Sequence, residues 1–214
     1  MIKITNLNKQ FGSVKALDNI NLDFSKNRVY GIIGHNGAGK TTLFRCINRL
    51  ESFQGELEIE DNVLHSVGYL PTEPEFMSYI TGHEYLQLLC NAKGINYDRS
   101  DKSNIFNLPL KRFASTYSTG MKKKLAFTGL LLQKNDVYIL DEPFNGVDVE
   151  SNFLILEIIK VLKDMNKLVI ISSHILSSLR DICDEYIVIK EGKVEKNLNK
   201  EEFLKQEDNM LKKM

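Results

Sequence analysis

The chain has 214 residues, of which 43% are hydrophobic, so it can bury a sizeable core in one large domain or two small ones. Its 28 lysines and arginines balance 28 aspartates and glutamates, which argues against a globally basic surface for nucleic acid or anionic lipid but leaves a local basic patch open. Three scattered cysteines imply neither a disulfide framework nor a zinc site and favour the reducing cytoplasm. No stretch approaches the run of about 20 apolar residues that spans a bilayer, so we expect any membrane role to come through a partner.

The first third of the chain is predicted to be mainly β-structure around one glycine-rich turn. Residues 2–33 contain runs with alternating apolar positions, and the last run, VYGII, is apolar enough for a central strand buried on both faces. This strand leads into the glycine-rich turn at 34–39 and then a helix from Lys40 to about Leu50. Further short strands are expected at 55–60 and 67–70.

The remainder of the chain changes from helical to alternating. From about Thr81 to Leu132 the pattern predicts two polar helices, the first ending at a glycine C-cap within HEYLQLLCNAKG. Beyond this arm, the strands VYIL, LVIISS and EYIVIK alternate with the helices NFLILEIIKVLKDM and ILSSLRDIC. Such alternation indicates a parallel sheet with helical crossovers.

A phosphate-binding pattern occupies residues 34–41, which read GHNGAGKT and fit G-x-x-x-x-G-K-[ST] between an apolar strand and a helix. The glycines let backbone amides curl around phosphate oxygens, Lys40 reaches the terminal phosphates, and the Thr41 hydroxyl ligates magnesium. The alternative is an ordinary glycine-rich turn. The residues predicted to bind the nucleotide here are Gly34, His35, Asn36, Gly37, Ala38, Gly39, Lys40, Thr41 and Thr42.

Two carboxylates, Asp141 and Glu142, directly follow the buried strand VYIL. They are expected at the carboxyl edge of the parallel sheet, where such sheets bind ligands. Asp141 is predicted to hold magnesium, directly or through water, and Glu142 to act as the general base on the attacking water. Alone, this pair also fits a helix N-cap or the start of a loop, and the upstream phosphate loop favours the catalytic interpretation.

The segment YSTGM at 117–121 precedes a helix, and by itself it fits a serine N-cap followed by a solvated basic turn. Its position between the phosphate loop and the acidic strand end, with Asp148 and His174 following, is far more specific. This combination resembles the ATP-binding cassette (ABC) family of nucleotide-binding domains over essentially the whole chain. The resemblance implies an ATPase that binds ATP and Mg²⁺, and it gives Lys40 and Glu142 their catalytic roles.

In that family the signature usually reads LSGGQ, and the resemblance places Ser118 and Gly120 at positions that contact the γ-phosphate bound on the opposite subunit. The departures from the motif leave those two contacts intact and fall at Tyr117, Thr119 and Met121. The resemblance also assigns Asp148 to the loop linking the two sites of a dimer. It assigns His174 to the catalytic switch that touches the γ-phosphate, whereas a lone histidine after a strand is otherwise structural.

Two further positions follow from the resemblance. Phe11 matches the aromatic residue that stacks on adenine, and its alternative is a strand-end aromatic packed in the core. The segment 67–76 resembles the loop that normally carries glutamine after its proline, but this chain has Thr72 there. Thr72 is therefore expected to meet the magnesium only through water, and the departure affects how magnesium and the membrane partner are sensed.

The expected fold is α/β: a P-loop NTPase with a RecA-like core, a mostly parallel sheet, an N-terminal antiparallel β-subdomain and an inserted helical subdomain. We predict one ABC nucleotide-binding domain over residues 1–214. Its ATPase core and β-subdomain take about 1–76 and 131–214, and the helical subdomain takes about 77–130.

The resemblance implies that two such units, expected to be identical chains, sandwich two ATP molecules and drive a separate transmembrane permease at the inner face of the cell membrane. The YSTGM segment favours the exporter branch, and no nucleic-acid partner is expected. One alternative is a soluble cassette ATPase acting on ribosomes or nucleic acid, but a second cassette or a long coiled-coil insertion is missing from the sequence. Another is a non-hydrolysing regulatory subunit, against which Lys40 and Glu142 argue.

Overall fold

The computed structural model describes residues 2–60, 63, 66–99, 103–173 and 179–211. No helix in this part of the chain combines the length and the hydrophobicity required to cross a bilayer. In chain order, its strands and α-helices are β1 (Ile2–Phe11), β2 (Val14–Phe24), β3 (Arg28–Ile33), α1 (Lys40–Ile47), β4 (Gln54–Ile59), β5 (Val67–Leu70), α2 (Gly82–Ala92), α3 (Thr119–Leu132), β6 (Val137–Asp141), α4 (Val149–Asp164), β7 (Leu168–Ser172), β8 (Glu185–Lys190), β9 (Lys193–Asn199) and α5 (Lys200–Leu211), with a 3-10 helix at Ala114–Thr116.

A six-stranded sheet with the order β5-β6-β7-β3-β8-β9 forms the centre of the fold. The pairs from β5 to β8 are parallel, and β9 runs antiparallel to β8 at the edge. Every residue of β6 and β7 is buried, as strands covered on both faces require. The mostly parallel sheet predicted from the sequence is confirmed.

The two faces of this sheet pack into separate hydrophobic clusters. Consecutive residues of β7 alternate between them, because successive side chains of a strand point to opposite faces: Ile170 lies in one cluster and Ile171 in the other. The Ile170 cluster is shared with α1 and β1, and the Ile171 cluster with α3 and α4. The carboxyl ends of β3, β6 and β7 therefore emerge from a core that is packed on both sides.

A second, antiparallel sheet has the order β2-β1-β4. Its inward positions, such as Ile2, Ile4 and Leu7, are buried in the Ile170 cluster, and polar positions between them face solvent. One packed and one solvated face is the usual arrangement of antiparallel sheets. The expected N-terminal β-subdomain is confirmed.

The helical arm contains α2 and α3, which pack against each other. A capping box starts α2, since the Thr81 hydroxyl accepts the Glu84 N–H at 3.3 Å while the Glu84 carboxylate accepts the Thr81 N–H at 2.8 Å. Gly94, at φ +66°, ends it as the sequence predicted, and Ile95 N–H donates to the Cys90 carbonyl. The subdomain boundaries near residues 77 and 130 stay a prediction.

Some predicted elements need correction. The helix expected to reach about Leu50 ends at Ile47, because Arg49 takes the left-handed conformation and the Asn48 amide donates back to the Phe44 carbonyl at 2.8 Å. Strand β9 and helix α5 were not predicted. The helix expected for ILSSLRDIC lies partly, and His174 wholly, outside the described residues.

Candidate functional site

The phosphate loop is fixed by close backbone approaches at two of its glycines. A Cβ atom on Gly34, at the end of β3, would lie 2.3 Å from the Ile189 carbonyl oxygen of β8. Gly39 has φ +111°, and a Cβ atom there would lie 2.7 Å from the Ala16 carbonyl oxygen of β2. Only glycine fits either position, so the pattern of the loop is set by the backbone packed behind it.

A two-residue turn between β8 and β9 supports the loop from behind. Glu191 and Gly192 both have positive φ, +49° and +76°, as tight hairpin turns require. The Gly192 N–H donates to the Ala38 carbonyl at 3.0 Å, which ties the turn to the phosphate loop. This contact was not predicted, because the run after the turn, KVEKNLN, has little apolar alternation and Glu-Gly alone is a weak hairpin signal.

A cavity of about 730 Å³ opens at the carboxyl edge of the sheet. It brings together Thr72, Glu142 and six residues predicted to bind the nucleotide, namely Asn36, Gly37, Gly39, Lys40, Thr41 and Thr42. Sequence reasoning missed several of its other lining residues: Val14, Lys15, Ala16, Asn145, Glu191 and Gly192. The lining residues from β2 and from the β8–β9 turn reach the cavity only through tertiary packing, so no local sequence pattern predicts that they line it.

Lys40 lies at the base of this cavity with its side chain buried. Its Nζ donates to the Gly34 and His35 carbonyl oxygens at 2.6 and 3.1 Å and lies 4.0 Å from Glu142 Oε1. Burial lowers the pKa of Lys40, and the Glu142 and Asp141 carboxylates oppose that shift. The structure therefore places the desolvated amine of Lys40 beside the backbone amides of the phosphate loop and the N-terminus of helix α1. These groups together favour the binding of an anion.

Asp141 is completely buried at the end of β6. One carboxylate oxygen accepts the Thr41 hydroxyl at 2.7 Å and the other accepts the Ser172 hydroxyl at 2.6 Å. A hydroxyl and a carboxylate side by side are the hard oxygen donors that Mg²⁺ prefers, so this pair fits the metal implied by the sequence. Ser172 was not predicted, because only the parallel pairing of β6 with β7 brings it there.

Glu142 has an uncommon backbone conformation for a non-glycine residue, with φ +49°. It also precedes Pro143, which restricts its backbone further, and such a conformation costs on the order of 1–3 kcal/mol. Its N–H donates to the Ser172 hydroxyl at 3.0 Å, and its carbonyl accepts from Lys123 Nζ at 2.7 Å. The surrounding structure thus holds both polar backbone groups of the strained residue.

Lys123 corrects one interpretation of the sequence. The run of lysines after the signature was considered as a solvated basic turn, but the side chain of Lys123 is only 1% exposed and points to the acidic strand end. No local sequence signal identifies such a buried lysine. Lys122, Lys123 and Lys124 are chemically the same, and only the direction in which the helix points each side chain separates them.

The signature residues lie at the first turn of α3. Ser118 is its N-cap, accepting the Met121 N–H at 3.3 Å, so the capping role considered for it is present. Gly120 lies against the Asn145–Asp148 loop, since a Cβ atom there would come within 2.3 Å of the Gly146 carbonyl oxygen. Neither belongs to the described lining of the 730 Å³ cavity.

Asp148 is the N-cap of α4 and accepts the Ser151 N–H at 2.9 Å. Lys124 Nζ donates to its other oxygen at 2.8 Å. The hydrogen bond from Lys124, with those from Ser151, holds the pKa of Asp148 well below its usual range. The pair connects α3, which carries the signature, to α4.

Phe11 ends β1 with its ring 46% exposed, so it is not buried in the core. Lys9 Nζ lies 4.6 Å from the ring centroid, a cation–π distance, and is itself held by Glu51 at 3.0 Å. Across the hairpin, Phe11 pairs with Val14, which lines the cavity. Phe11 itself is not among the described residues that line the cavity, so its stacking on adenine stays a prediction.

Comparisons with known proteins agree with this geometry. The family model described as ABC transporter matches residues 17–145. The chain is 33% identical over 210 residues to the bacitracin transport ATP-binding protein BcrA of Bacillus licheniformis, covering 91% of this chain and 68% of that protein. It is 32% identical over 208 residues to the lantibiotic transport ATP-binding protein SrtF of Streptococcus pyogenes, covering 91% and 89%.

A solved structure shows the same fold. It is a dimeric ATP-binding cassette in a post-hydrolysis state bound to ADP and Pi, with a TM-score of 0.82 and 20% identity, covering 94% of this chain and 99% of that one. With the resemblance of the sequence, the P-loop fold and the matched family model in agreement, the chain belongs to the ABC transporter family, as an ATP-binding subunit with ATPase activity.

Proposed function

We propose that this ATPase subunit powers the export of a peptide antibiotic through a separate transmembrane permease. The observation that carries the ATP-hydrolysing part of the proposal is the acidic strand end at the phosphate loop, where Asp141 is bonded to Thr41 and Glu142 faces the same cavity 4.0 Å from Lys40. This arrangement has the parts required for phosphoryl transfer to water.

In the proposed reaction, the amides of residues 34–42 bind the phosphates of ATP, and the ring of Phe11 stacks on the adenine. Lys40 exchanges its loop carbonyls for the terminal phosphates. Thr41 and Asp141 would hold Mg²⁺, with Thr72 reaching it through water, and the bound ion would supply positive charge beside the phosphates. Glu142 accepts a proton from the attacking water, since its carboxylate lies at the cavity.

The second part of the proposal is a homodimer with composite sites. Ser118 and Gly120 would contact the γ-phosphate bound on the opposite copy, because both lie at the start of α3 apart from their own chain's cavity, with Ser118 exposed and Gly120 buried against the Asn145–Asp148 loop. Asp148 would link the two sites, since it is bonded to Lys124 of the signature helix. His174 would touch the γ-phosphate. The fold shared with a dimeric cassette supports this assembly.

The permease and the direction of transport form the third part. The described part of the chain contains no helix that could cross a bilayer, and two relatives are named for bacitracin and lantibiotic transport. Those names, with the YSTGM segment, favour peptide export. The chain would act at the inner face of the cell membrane, bound to its permease.

Vesicles of opposite orientation test the proposal. The chain would be reconstituted with the membrane protein encoded beside it, and uptake of labelled bacitracin or a lantibiotic measured in inside-out and right-side-out vesicles. We expect ATP-dependent accumulation in inside-out vesicles only, and none with Glu142→Gln. Accumulation in right-side-out vesicles alone would indicate import, and stimulation of the ATPase by ribosomes without a permease would favour the soluble cassette instead.

A further inference from the structure

Lys123 is a buried cation that no proposed step of the reaction uses. It lies on α3, directly after the signature, and only 1% of it is exposed. Lysine is almost never fully buried unless its amine is paired, so a specific reason for its position is required. Its Nζ donates to the Glu142 carbonyl oxygen at 2.7 Å.

The surroundings of this amine are acidic. Burial lowers the pKa of Lys123, and the carboxylates of Glu142, Asp141 and Glu73 oppose that shift. The amine thus lies within the field of the acidic strand end, while its hydrogen bond is made to backbone and not to a carboxylate. A hydrogen bond to the Glu142 carbonyl fixes the position of the Glu142 backbone and does not involve its carboxylate.

The backbone of Glu142 can be held at few points. Its φ of +49° is unfavourable for a residue with a side chain, so contacts must maintain it. The Ser172 hydroxyl accepts its N–H at 3.0 Å. The next residue, Pro143, has no N–H, so a hydrogen bond can hold the following peptide plane only through the Glu142 carbonyl oxygen. This oxygen accepts the Asn145 N–H at 3.2 Å, a contact within the same loop, and Lys123 Nζ at 2.7 Å, a contact that ties the loop to helix α3.

We propose that Lys123 is a positioning residue, which aims the Glu142 carboxylate by holding its backbone and makes that aim depend on the position of helix α3. The inference rests on the proposed role of Glu142 as the base. It deepens the proposed dimer, because the same helix begins with Ser118 and Gly120. Contact of that helix start with the nucleotide of one site would thus be transmitted through Lys123 to the base of the other.

The main test compares two substitutions of Lys123. Lys123→Met keeps the apolar stem and removes the donor, whereas Lys123→Gln keeps an N–H donor one bond shorter and removes the charge. Because small misplacements of a reacting group cost up to about 100-fold, we expect Lys123→Met to lower kcat by about 10- to 100-fold with KM changed less than about threefold. Lys123→Gln should return kcat to within about fivefold of the wild type, as the remaining donor restores a hydrogen bond.

Lys122→Met provides the matched control, since it removes a lysine of the same helical turn that makes no contact with Glu142 in the described structure. Its kcat should stay within about twofold of the wild type, as expected for a surface substitution. We expect the same loss of kcat in Lys123→Leu as in Lys123→Met. Lys123→Leu replaces Lys123→Met in the test if thermal unfolding shows that Lys123→Met is not folded.

A double variant tests whether the effect passes through Glu142. In Glu142→Gln, adding Lys123→Met should lower the residual turnover by less than about twofold, because residues that act as a unit are not additive. Unchanged kcat in folded Lys123→Met, an equal loss in Lys122→Met, a loss confined to KM, or full additivity would each overturn the inference alone. Near-normal turnover in Glu142→Gln would overturn the role of Glu142 and the inference with it.

Discussion

The carboxyl edge of the central sheet and the start of helix α3 carry the two halves of the proposed ATP site in opposite states. At the sheet edge, Lys40, Asp141 and Glu142 are buried or half-buried and bonded to their neighbours. At the helix start, Ser118 is exposed and bonded within its own first turn. The sheet-edge half of the site is therefore formed within one chain, whereas the helix-start half faces solvent and is available to another molecule.

The contrast has a structural cause. Strands β3, β6 and β7 are packed on both faces, so the residues at their ends are held in place by the core. A helix start has unpaired N–H groups that face away from the helix, and it can offer these to a ligand on another molecule. ATP turnover is therefore expected to depend on residues at the sheet edge within one chain and on Ser118 between chains.

The largest effect is expected from a substitution in the sheet-edge half of the site. Glu142→Gln removes the proposed base but keeps its shape, so turnover should fall by about a hundred- to ten-thousandfold while ATP still binds. Phosphate release and equilibrium binding of labelled ATP measure the two properties. Glu157→Gln, an exposed glutamate of α4, is the control and should leave both unchanged. Near-normal phosphate release by Glu142→Gln would remove Glu142 from its role.

The next prediction tests whether the helix-start half acts between chains. Ser118→Arg should by itself abolish most turnover, since it blocks the exposed contact. In an equal mixture with Glu142→Gln, half of the dimers are mixed and each has one intact composite site, so turnover should recover to about a quarter of the wild-type value. Phosphate release of the mixture decides the question.

The same mixture has a clear opposite outcome. If Ser118 acts within its own chain, mixing restores nothing. Light scattering of Glu142→Gln alone gives an independent check, because it should be monomeric without nucleotide and dimeric with saturating ATP. A variant that stays monomeric would point to a different cassette as the partner.

A smaller effect is expected at the edge of the cavity. Phe11→Ala should weaken ATP binding by about 1–3 kcal/mol, the scale of base stacking on aromatic rings, with little change in turnover at saturation. Loss of uniform binding of this kind raises KM and leaves kcat. Steady-state kinetics would be compared with Phe153→Ala, which removes an exposed ring of α4. Unchanged KM in a folded Phe11→Ala would contradict the stacking role.

The smallest effect is expected at Thr72. Its hydroxyl is shorter than the usual glutamine amide and should meet the metal shell through water, so Thr72→Ala and Thr72→Gln should change basal ATPase by less than about tenfold. The larger change should appear in ATPase stimulated by transport in the reconstituted complex. A hundredfold loss of basal activity in Thr72→Ala would show a direct part in catalysis.

The sequence predicted what local patterns can carry. The phosphate loop and the strand ending in Asp141 and Glu142 each form a continuous segment, and the structure brings them to one cavity. The parallel sheet with helical crossovers followed from the order of strands and helices, the remainder of the fold class followed from the resemblance to the ABC family, and both are confirmed. The antiparallel edge strand β9 was missed, because KVEKNLN has little of the apolar alternation that indicates a strand.

Other parts of the site depend on packing that a sequence does not display. Lys123 is buried although the lysines on either side of it in the sequence are not, and the Ser172 hydroxyl is bonded to Asp141. Both features arise because segments distant in the sequence pack together. The half-exposed ring of Phe11 is a packing result of the same kind. The role of His174 stays a prediction, since that residue lies outside the described part of the chain.

The turn formed by Glu191 and Gly192 limits where this protein can be altered. Hairpin tips at a surface usually accept inserted residues, because little packs against them. Here the Gly192 N–H is bonded to the Ala38 carbonyl, and a Cβ atom at Gly192 would lie 2.7 Å from the Ala16 carbonyl oxygen. A fluorescent label or an affinity tag placed at this tip would therefore disturb the phosphate loop and be measured as weakened nucleotide binding.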